Sequence, residues 1–507
     1  MHRLAVLLPL LAAGCAPAAP PVAFDTAGGD AWTFDKRIEA SVAPEACARV
    51  SFVSPVGSAE AEPRGNRVVA WVPLAPGANV VEAVCQDDNS HGPAAQQSWD
   101  VRLADGPKAW VRTVATGSGM ALDAGATRLA PVRPAPLVRF RWRAREANPA
   151  PLEGLPAEGE RITLPAPAVD GEYYVTLQVT DMLGRSDEST AMFRVRDGRA
   201  EEVDLARDNP AWVDRAVVYG VVPFFFGPRG FADVTDRIDE LAELGVTTLW
   251  LSPITAAPPE DFGYAVTDHF ALRRRFGSEA DLRRLIAMAH DAGLRVIMDF
   301  IPNHVSAEHP YYRDAEARGE ASAYYGFFER RSEGQAAFYF DWPHLINLDF
   351  DDPEVQRMMI EAFTYWVKAY DVDGFRVDVA WGPRERAPEF WPRWRAELKR
   401  IKPDLFLLAE APARDPYYFL HGFDAAYDWT ETLGEWAWRA AFDDRPHTAR
   451  RLRRAIGNEG TGLHSDALVL RFLNNNDTGA RFLTRYGLPR TRVAAAMLLT
   501  LPGIPAL

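Results

Sequence analysis

Between residues 25 and 197 apolar and polar positions alternate over short runs, which predicts strands rather than helices. Arg67–Val72 and Asn79–Cys85 are typical of these runs, and Pro and Gly turns separate them. We predict two successive all-β sandwiches, at residues 25–104 and 107–197.

The second of these modules contains the clearest strand. Gly171–Asp181 has the alternation Gly-x-Tyr-x-Val-x-Leu-x-Val-x-Asp and is followed by Gly184. This strand and turn resemble those of immunoglobulin-like domains, which implies immunoglobulin-like sandwiches. We expect them to act as spacers or packing partners, because neither contains a convincing active site.

After a charged linker at residues 198–211 the pattern changes, and apolar runs alternate with segments of helical period. A helix is predicted at Val234–Leu244, with Asp233 as its N-cap and Gly245 as its stop. The predicted strands are Val217–Val222, Val246–Leu251, Leu294–Asp299, Val372–Val377, Leu405–Ala409, Phe423–Asp428, Ala467–Leu473 and Ile504–Leu507. They predict a (β/α)8 TIM barrel over residues 212–507, with an insertion at residues 304–350 and with the chain truncated in strand eight.

Composition supports several domains and excludes one class of partner. A chain of 507 residues with 48% hydrophobic content can fill a large core and smaller modules. Its 56 basic and 70 acidic residues give a net charge of −14, which argues against a nucleic-acid partner.

The N-terminus has a short basic start, an apolar run from Leu4 to Leu11, and Leu-Ala-Ala-Gly-Cys ending at Cys15. The run is too short for a permanent membrane span. The segment, residues 1–15, resembles a bacterial lipoprotein signal peptide, which implies cleavage before Cys15 and a lipid anchor on that cysteine. Residues 16–24 would be an Ala/Pro linker. The predicted location is that of an exported bacterial lipoprotein, at the outer membrane, cell surface or periplasm; an ordinary secretory peptide is the alternative.

Two further cysteines remain, Cys47 and Cys85. An even pair in an exported protein predicts a disulfide. The alternative is a pair of free, buried thiols.

Four apolar runs end in polar residues where a barrel gathers its catalytic groups. They are Asp299-Phe-Ile-Pro-Asn303-His304, Gly374-Phe-Arg376-Val-Asp378, Leu407-Leu-Ala-Glu410 and Phe472-Leu-Asn-Asn475-Asn476-Asp477. Cleavage of an acetal requires one ionised carboxylate and one protonated carboxyl. Asp378 shares a strand face with Arg376, whose guanidinium should hold it ionised. Glu410 follows apolar residues, which should raise its pKa.

In identity and order the four segments resemble the α-amylase superfamily, glycoside hydrolase family 13. Phe262–Asp268 is similar to the family's Gly-Tyr-x-x-x-Asp loop, and Ile346–Asp349 to the block before its fourth strand. The resemblance implies a retaining glycosidase that acts on α-glucosidic linkages of starch-like or maltodextrin substrates. Asp378 would be the nucleophile and Glu410 the acid/base, with no cofactor required for the chemistry.

The resemblance also implies roles for neighbouring residues. Asp477 would be a third catalytic carboxylate, and Asp299 would orient the arginine. The residues placed at the substrate are Arg376, His304, Tyr264, Asn476 and Asp268. His304 would bond a sugar and Tyr264 would form a stacking floor. Asn303 would be a ligand of a structural calcium ion, with a structural hydrogen bond as the alternative.

Three departures from the family pattern leave alternatives open. Asn476 stands where most members have His, and Val379-Ala380-Trp381 follows Asp378 without the usual Lys-His pair. The chain ends at Leu507, inside the eighth strand. The alternatives are an α-glucan transglycosylase and a non-catalytic glycan-binding lipoprotein with a degenerate barrel. The intact Asp378 and Glu410 favour an enzyme.

Overall fold

The computed structural model describes residues 21–43, 47–87, 90–91, 94–146, 148–203, 209–429, 438, 441–443, 448–457 and 467–507. Cys15 and the predicted signal peptide lie outside these residues. The chain forms two compact units, residues 1–103 with 321–323, and residues 104–320 with 324–507. In the described part of the chain, no helix has the length and apolar character needed to cross a membrane.

The first unit is built from β-strands. They are β1 (Val22–Phe24), β2 (Gly29–Ala31), β3 (Asp35–Val42), β4 (Arg49–Ser54), β5 (Gly57–Ala61), β6 (Arg67–Pro73), β7 (Gly77–Asp87), β8 (Ser90–His91) and β9 (Ala95–Val101). One sheet has the order β1-β3-β6 and the other β2-β9-β7-β4-β5, with β8 paired to β7. Cys47 and Cys85 form a disulfide.

The second unit begins with another pair of sheets. Its strands are β10 (Arg112–Thr116), β11 (Gly119–Asp123), β12 (Leu137–Ala144), β13 (Arg161–Pro165), β14 (Gly171–Asp181), β15 (Ser186–Arg196) and β16 (Arg199–Glu202). The sheet orders are β10-β11-β13 and β12-β14-β15-β16. Alternate residues of β14, from Tyr173 to Val179, fill the core between the sheets, as the period of two requires.

A barrel follows in the same unit. Its region contains β17 (Val218–Val221), β18 (Thr248–Leu251), β19 (Thr255–Ala256), β20 (Asp268–Leu272), β21 (Arg295–Phe300), β22 (His304–Ser306), β23 (Leu345–Asn347), β24 (Gly374–Val377), β25 (Phe406–Pro412), β26 (Ala425–Tyr427), β27 (Leu468–Phe472) and β28 (Ile504–Ala506). The closed, parallel order is β17-β18-β21-β24-β25-β26-β27-β28. The predicted fold class, an all-β N-terminal region followed by an eight-stranded barrel, is therefore confirmed.

Helices surround the barrel and support its loops. They are α1 (Pro223–Phe226), α2 (Phe231–Thr235), α3 (Ile238–Glu243), α4 (Glu279–Asp291), α5 (Pro310–Arg318), α6 (Pro353–Tyr370), α7 (Trp381–Arg386), α8 (Phe390–Ile401), α9 (Tyr417–Leu420), α10 (Thr448–Gly457) and α11 (Phe482–Thr500), the last with a kink at Gly487. Single 3₁₀ turns occur at Ala211–Arg215, Arg274–Phe276, Gly319–Ala321 and Tyr325–Phe327.

The predicted helix at Val234–Leu244 was wrong in its start. The chain forms two short helices there, α2 and α3, and Asp233 lies inside α2. Its carboxylate accepts a hydrogen bond from the backbone N–H of Arg229, one turn earlier, so it stabilises the turn before the helix instead of capping it. Gly245 does end α3, with the left-handed φ of +91° that glycine tolerates best.

Candidate active site

Strand register brings the acidic and basic residues of the site to one level of the barrel. Asp299 in β21 lies beside Arg376 in β24. Val377 lies beside Ala409 in β25, so that Asp378 and Glu410 follow at the same height on adjacent strands. All four side chains are buried, with exposures of 0 to 8%. The carboxyl ends of three consecutive barrel strands thus form one enclosed polar cluster.

Arg376 is the centre of this cluster. Its Nη1 lies 2.8 Å from Asp299 Oδ1 and 2.7 Å from Asp378 Oδ1, and its Nη2 lies 2.6 Å from Glu410 Oε1. Its Nε donates to the hydroxyl of Tyr427 at 2.9 Å. One guanidinium therefore fixes the two candidate catalytic carboxyls relative to each other.

Burial opposes ionisation of all three carboxyls. It raises the pKa of Asp299 and of Asp378 to about 7, although Arg376 acts in the opposite direction. Burial also raises the pKa of Glu410 well above its usual value, and the charges of Asp378 and Asp477 add to this. The sequence prediction for Glu410 agrees with this direction. The sequence predicted that Arg376 would hold Asp378 ionised, but the pKa of Asp378 is raised, because burial outweighs a guanidinium that three buried carboxyls share.

The residue after Asp378 has an unusual backbone. Val379 has a φ of +47°, a left-handed conformation that is costly for a β-branched residue. In this conformation its N–H donates to Glu410 Oε2 at 2.7 Å. The strained residue therefore holds the second oxygen of Glu410, while Arg376 holds the first.

Tyr264 links the cluster to the seventh barrel strand. Its hydroxyl donates to Asp299 Oδ2 at 3.1 Å and accepts from Asn476 Nδ2 at 2.8 Å. Asn476, one of the departures from the family pattern, thus ends a hydrogen-bonded chain that leads to the cluster. Asp477 beside it is exposed, and its charge contributes to the raised pKa of both Asp378 and Glu410.

Aromatic residues line one side of the site. The ring of His304 stacks on Tyr339, with 4.9 Å between centroids, and burial lowers the pKa of His304 to about 3, so the imidazole is neutral. Tyr339 also contacts Phe340 and Trp381, at 4.3 and 5.8 Å between ring centroids. The insertion after the third barrel strand therefore delivers two aromatic rings to the site.

Two predicted residues have other surroundings. Asp268 is exposed at the start of β20, and its carboxylate accepts from the N–H of Phe270 at 2.8 Å. Asn303 is buried, and its Oδ1 accepts from the guanidinium of Arg386. Among the residues that the structure describes, no group of three or more His, Cys, Asp or Glu side chains could hold a metal ion.

Sequence reasoning missed several contributors. Tyr427 is the last residue of β26 and holds Arg376 Nε, while Trp250 in β18 lies with its ring 5.6 Å from the same guanidinium. Both stand on barrel strands, so the alternation of side chains could have placed them inside. Tyr339 lies in a loop without periodicity, where the sequence offers no comparable signal.

The fold and this cluster define a class of protein, the TIM-barrel proteins with a pair of buried carboxyls at the carboxyl ends of their strands. Within this class, the catalytic-domain family of alpha amylase matches residues 229–344 and 332–507, and the chain belongs to that family.

Characterised relatives agree with this family. Alpha-amylase MalA of Haloarcula japonica is 32% identical over 362 residues, which cover 70% of this chain and 52% of the relative. Intracellular maltogenic amylase of Bacillus subtilis is 30% identical over 278 residues, 52% of this chain and 45% of the relative. The chain thus spans about half the length of these curated relatives.

Solved structures support the fold alone. An alpha-amylase from Lactobacillus plantarum has a TM-score of 0.50 at 24% identity, over 58% of this chain and 71% of that one. Cyclic alpha-maltosyl-(1→6)-maltose hydrolase from Arthrobacter globiformis has a TM-score of 0.50 at 22% identity, over 59% and 74%.

Proposed function

We propose that this protein is a retaining glycoside hydrolase that cleaves α-glucosidic linkages of starch-like or maltodextrin substrates. The observation that carries the proposal is the attachment of Asp378 and Glu410 to one guanidinium, at 2.7 and 2.6 Å. Retention requires two carboxyls that approach the same glycosidic bond closely, without space for a water molecule behind the sugar.

The proposed reaction has two steps. The carboxylate of Asp378 attacks the anomeric carbon, while Glu410 gives its proton to the departing glycosidic oxygen. A glucosyl ester on Asp378 results. Glu410, now ionised, takes a proton from water, whose oxygen displaces Asp378 and releases the sugar with its original anomeric configuration. Arg376 stays in contact with both carboxyls and stabilises whichever of them is charged.

The raised pKa of Glu410 supports its role as the acid. Burial raises this pKa well above its usual value, which favours the protonated form that the first step needs. Burial also raises the pKa of Asp378 to about 7, while contact with Arg376 favours the ionised form that attacks the sugar. Asp477, whose charge reaches both groups, is proposed to bind sugar hydroxyls.

The aromatic side of the site supports a carbohydrate substrate. Tyr339, Phe340 and Trp381 contact one another, and Phe340 is 56% exposed. Such rings offer flat apolar surfaces to the C–H faces of glucose units. The same surface favours a second candidate activity, α-glucan transglycosylation, because it could hold an acceptor sugar in place of water.

Purified protein incubated with maltoheptaose would test the proposal. We expect α-configured products by proton NMR at early times, and loss of activity of at least about a thousandfold in Asp378→Asn and in Glu410→Gln. Asp239→Asn, which changes an exposed carboxylate in α3, serves as the matched control, with activity close to wild type. Longer oligosaccharides among the products would favour transfer. Inverted products, or full activity of Asp378→Asn, would contradict the proposal.

We further propose that Cys15 carries a lipid anchor that holds the protein at the outer membrane or cell surface. The proposal is based on the Leu-Ala-Ala-Gly-Cys sequence alone. In a bacterial host, Cys15→Ser should move the protein from the membrane fraction to the soluble fraction. An unchanged distribution would refute the anchor.

A further inference from the structure

A partly buried arginine lies at the junction between the barrel and its insertion. Arg386 is the last residue of α7, and its side chain is 14% exposed. Its Nη1 lies 3.1 Å from Glu329 Oε2, and its Nη2 donates to the side-chain oxygen of Asn303. The guanidinium also lies 5.9 Å from the centre of the buried Phe350 ring. One side chain thus connects the third barrel strand's exit, the insertion and the helix after the fourth strand.

Further hydrogen bonds join the groups around Arg386. Asn347 Nδ2 donates to Glu329 Oε2 at 2.9 Å, and Asn303 Nδ2 approaches Asn347 Oδ1 at 3.4 Å. The backbone oxygen of Asn303 lies 3.4 Å from Arg386 Nη2. Oxygens from two segments, at Asn303 and Glu329, therefore converge on a single positive charge.

Gly382 makes this arrangement possible. A Cβ added at this position would lie 1.9 Å from Asn303 Oδ1 and 3.2 Å from Arg386 Nη2. Any side chain on Gly382 would displace the amide from the guanidinium. The contact between Asn303 and Arg386, one turn later in the helix, therefore depends on the absence of a side chain at residue 382.

The calcium ion that the family resemblance suggested at Asn303 does not fit this donor set. Calcium prefers six to eight oxygen ligands, several of them carboxylates. In the described structure the amide oxygen of Asn303 is already bonded to a guanidinium, and Glu329 supplies the carboxylate in contact with that guanidinium. A second cation at this point would face the charge of Arg386 at close range.

We propose that Arg386 is the permanent cation of this junction, and that the protein holds its insertion against the barrel without a metal ion. The planar guanidinium donates hydrogen bonds to a carboxylate and to an amide through separate nitrogens. Because it is part of the chain, this cation cannot dissociate from the site as a metal ion can. The insertion carries Tyr339 and begins at His304, so this contact also sets one wall of the candidate active site.

Thermal unfolding with calcium and with EDTA tests this proposal. The wild-type midpoint should be the same, within about 1 °C, in millimolar CaCl2 and in millimolar EDTA. Arg386→Ala should lower the midpoint by at least about 5 °C in EDTA, because it removes the guanidinium that bonds both Glu329 and the buried Asn303. In the variant, millimolar calcium should restore at least about half of this loss in midpoint. The oxygens of Glu329 and Asn303 would no longer be bonded to a guanidinium and could bind the ion in its place. Isothermal titration should detect calcium binding by the variant and none by the wild type.

Arg384→Ala is the matched control. Arg384 lies in the same short helix but pairs with Asp415 and is one-third exposed, so its removal should create no response to calcium. Should Arg386→Ala fail to fold, Arg386→Gln removes the charge with less loss of volume and should show the same calcium response. Calcium binding by the wild type, or a folded Arg386 variant that calcium does not stabilise, would overturn the proposal. This outcome is independent of whether the enzyme hydrolyses α-glucans.

Discussion

Substitution of Asp299 by Asn tests the electrostatic account of the site. Asp299 and Asp378 share one nitrogen of Arg376, at 2.8 and 2.7 Å. The charge of Asp299 raises the pKa of Asp378, in addition to the larger effect of burial. The amide can still accept from Arg376 and Tyr264, so the variant removes a charge and little volume.

The size of the effect follows from Coulomb's law. Two charges about 5 Å apart interact with about 3 kcal/mol at an effective dielectric constant near 20. That corresponds to about 2 pH units in the pKa of Asp378. Burial also raises the pKa of Asp299 to about 7, so near neutral pH it carries only part of its charge. We therefore expect Asp299→Asn to lower the pKa of Asp378 by about 1 unit.

The pH dependence of kcat/KM reports this shift. Asp378 must be ionised to act, so the acid limb of the profile should move about 1 unit toward lower pH in Asp299→Asn, while the alkaline limb, set by Glu410, should move less. Asp239→Asn is the control, because that carboxylate is exposed on α3 and the pH profile of this variant should match wild type. An acid limb that stays in place or moves upward would refute the reasoning.

Two further predictions concern the surroundings of the site. Tyr427→Phe removes the acceptor of Arg376 Nε and should lower kcat about tenfold with little change in KM; a stability loss without a change in kcat would contradict this. Asp373→Asn should lower the free energy of unfolding at pH 7 by about 3 to 5 kcal/mol. The basic partners of Asp373 are His290, Arg295 and Lys402. Burial alone would raise the pKa of Asp373, but these basic partners hold that pKa well below its usual value. The ionised carboxylate therefore stabilises the folded protein above about pH 4, and this stabilisation is lost as the pH falls further. Urea titrations at pH 7 and at about pH 3 should show that the difference in unfolding free energy between wild type and variant becomes smaller at the lower pH. An equal difference at both pH values would contradict the prediction.

The barrel and the carboxyl pair were predictable because they follow from local rules. Buried parallel strands are short apolar runs, and the polar residues that end them must meet at the same face of the barrel. The predicted strands therefore correspond to the observed ones with small differences at their ends, as for Val372–Val377 and the observed Gly374–Val377. The predicted domain boundaries and residue roles stay predictions.

The ionisation of the site was less predictable, because it depends on how many groups share one partner. The sequence places Arg376 beside Asp378, and this neighbourhood suggested a fully ionised carboxylate. The fold adds Asp299 and Glu410 to the same guanidinium and removes water from all of them. Burial and mutual repulsion then outweigh the single positive charge.

The residues at which the chain departs from the family pattern make specific contacts in the fold. Asn476 donates to the hydroxyl of Tyr264, which in turn donates to Asp299, so an amide is sufficient for this contact. Trp381 lies in the segment after Asp378 that lacks the usual Lys-His pair, and it contributes a ring to the aromatic side of the site. Gly382, the next residue, leaves space for Asn303 and the guanidinium of Arg386. The chain therefore differs from the family pattern at positions that support the carboxyl pair, while Asp378 and Glu410 themselves are unchanged.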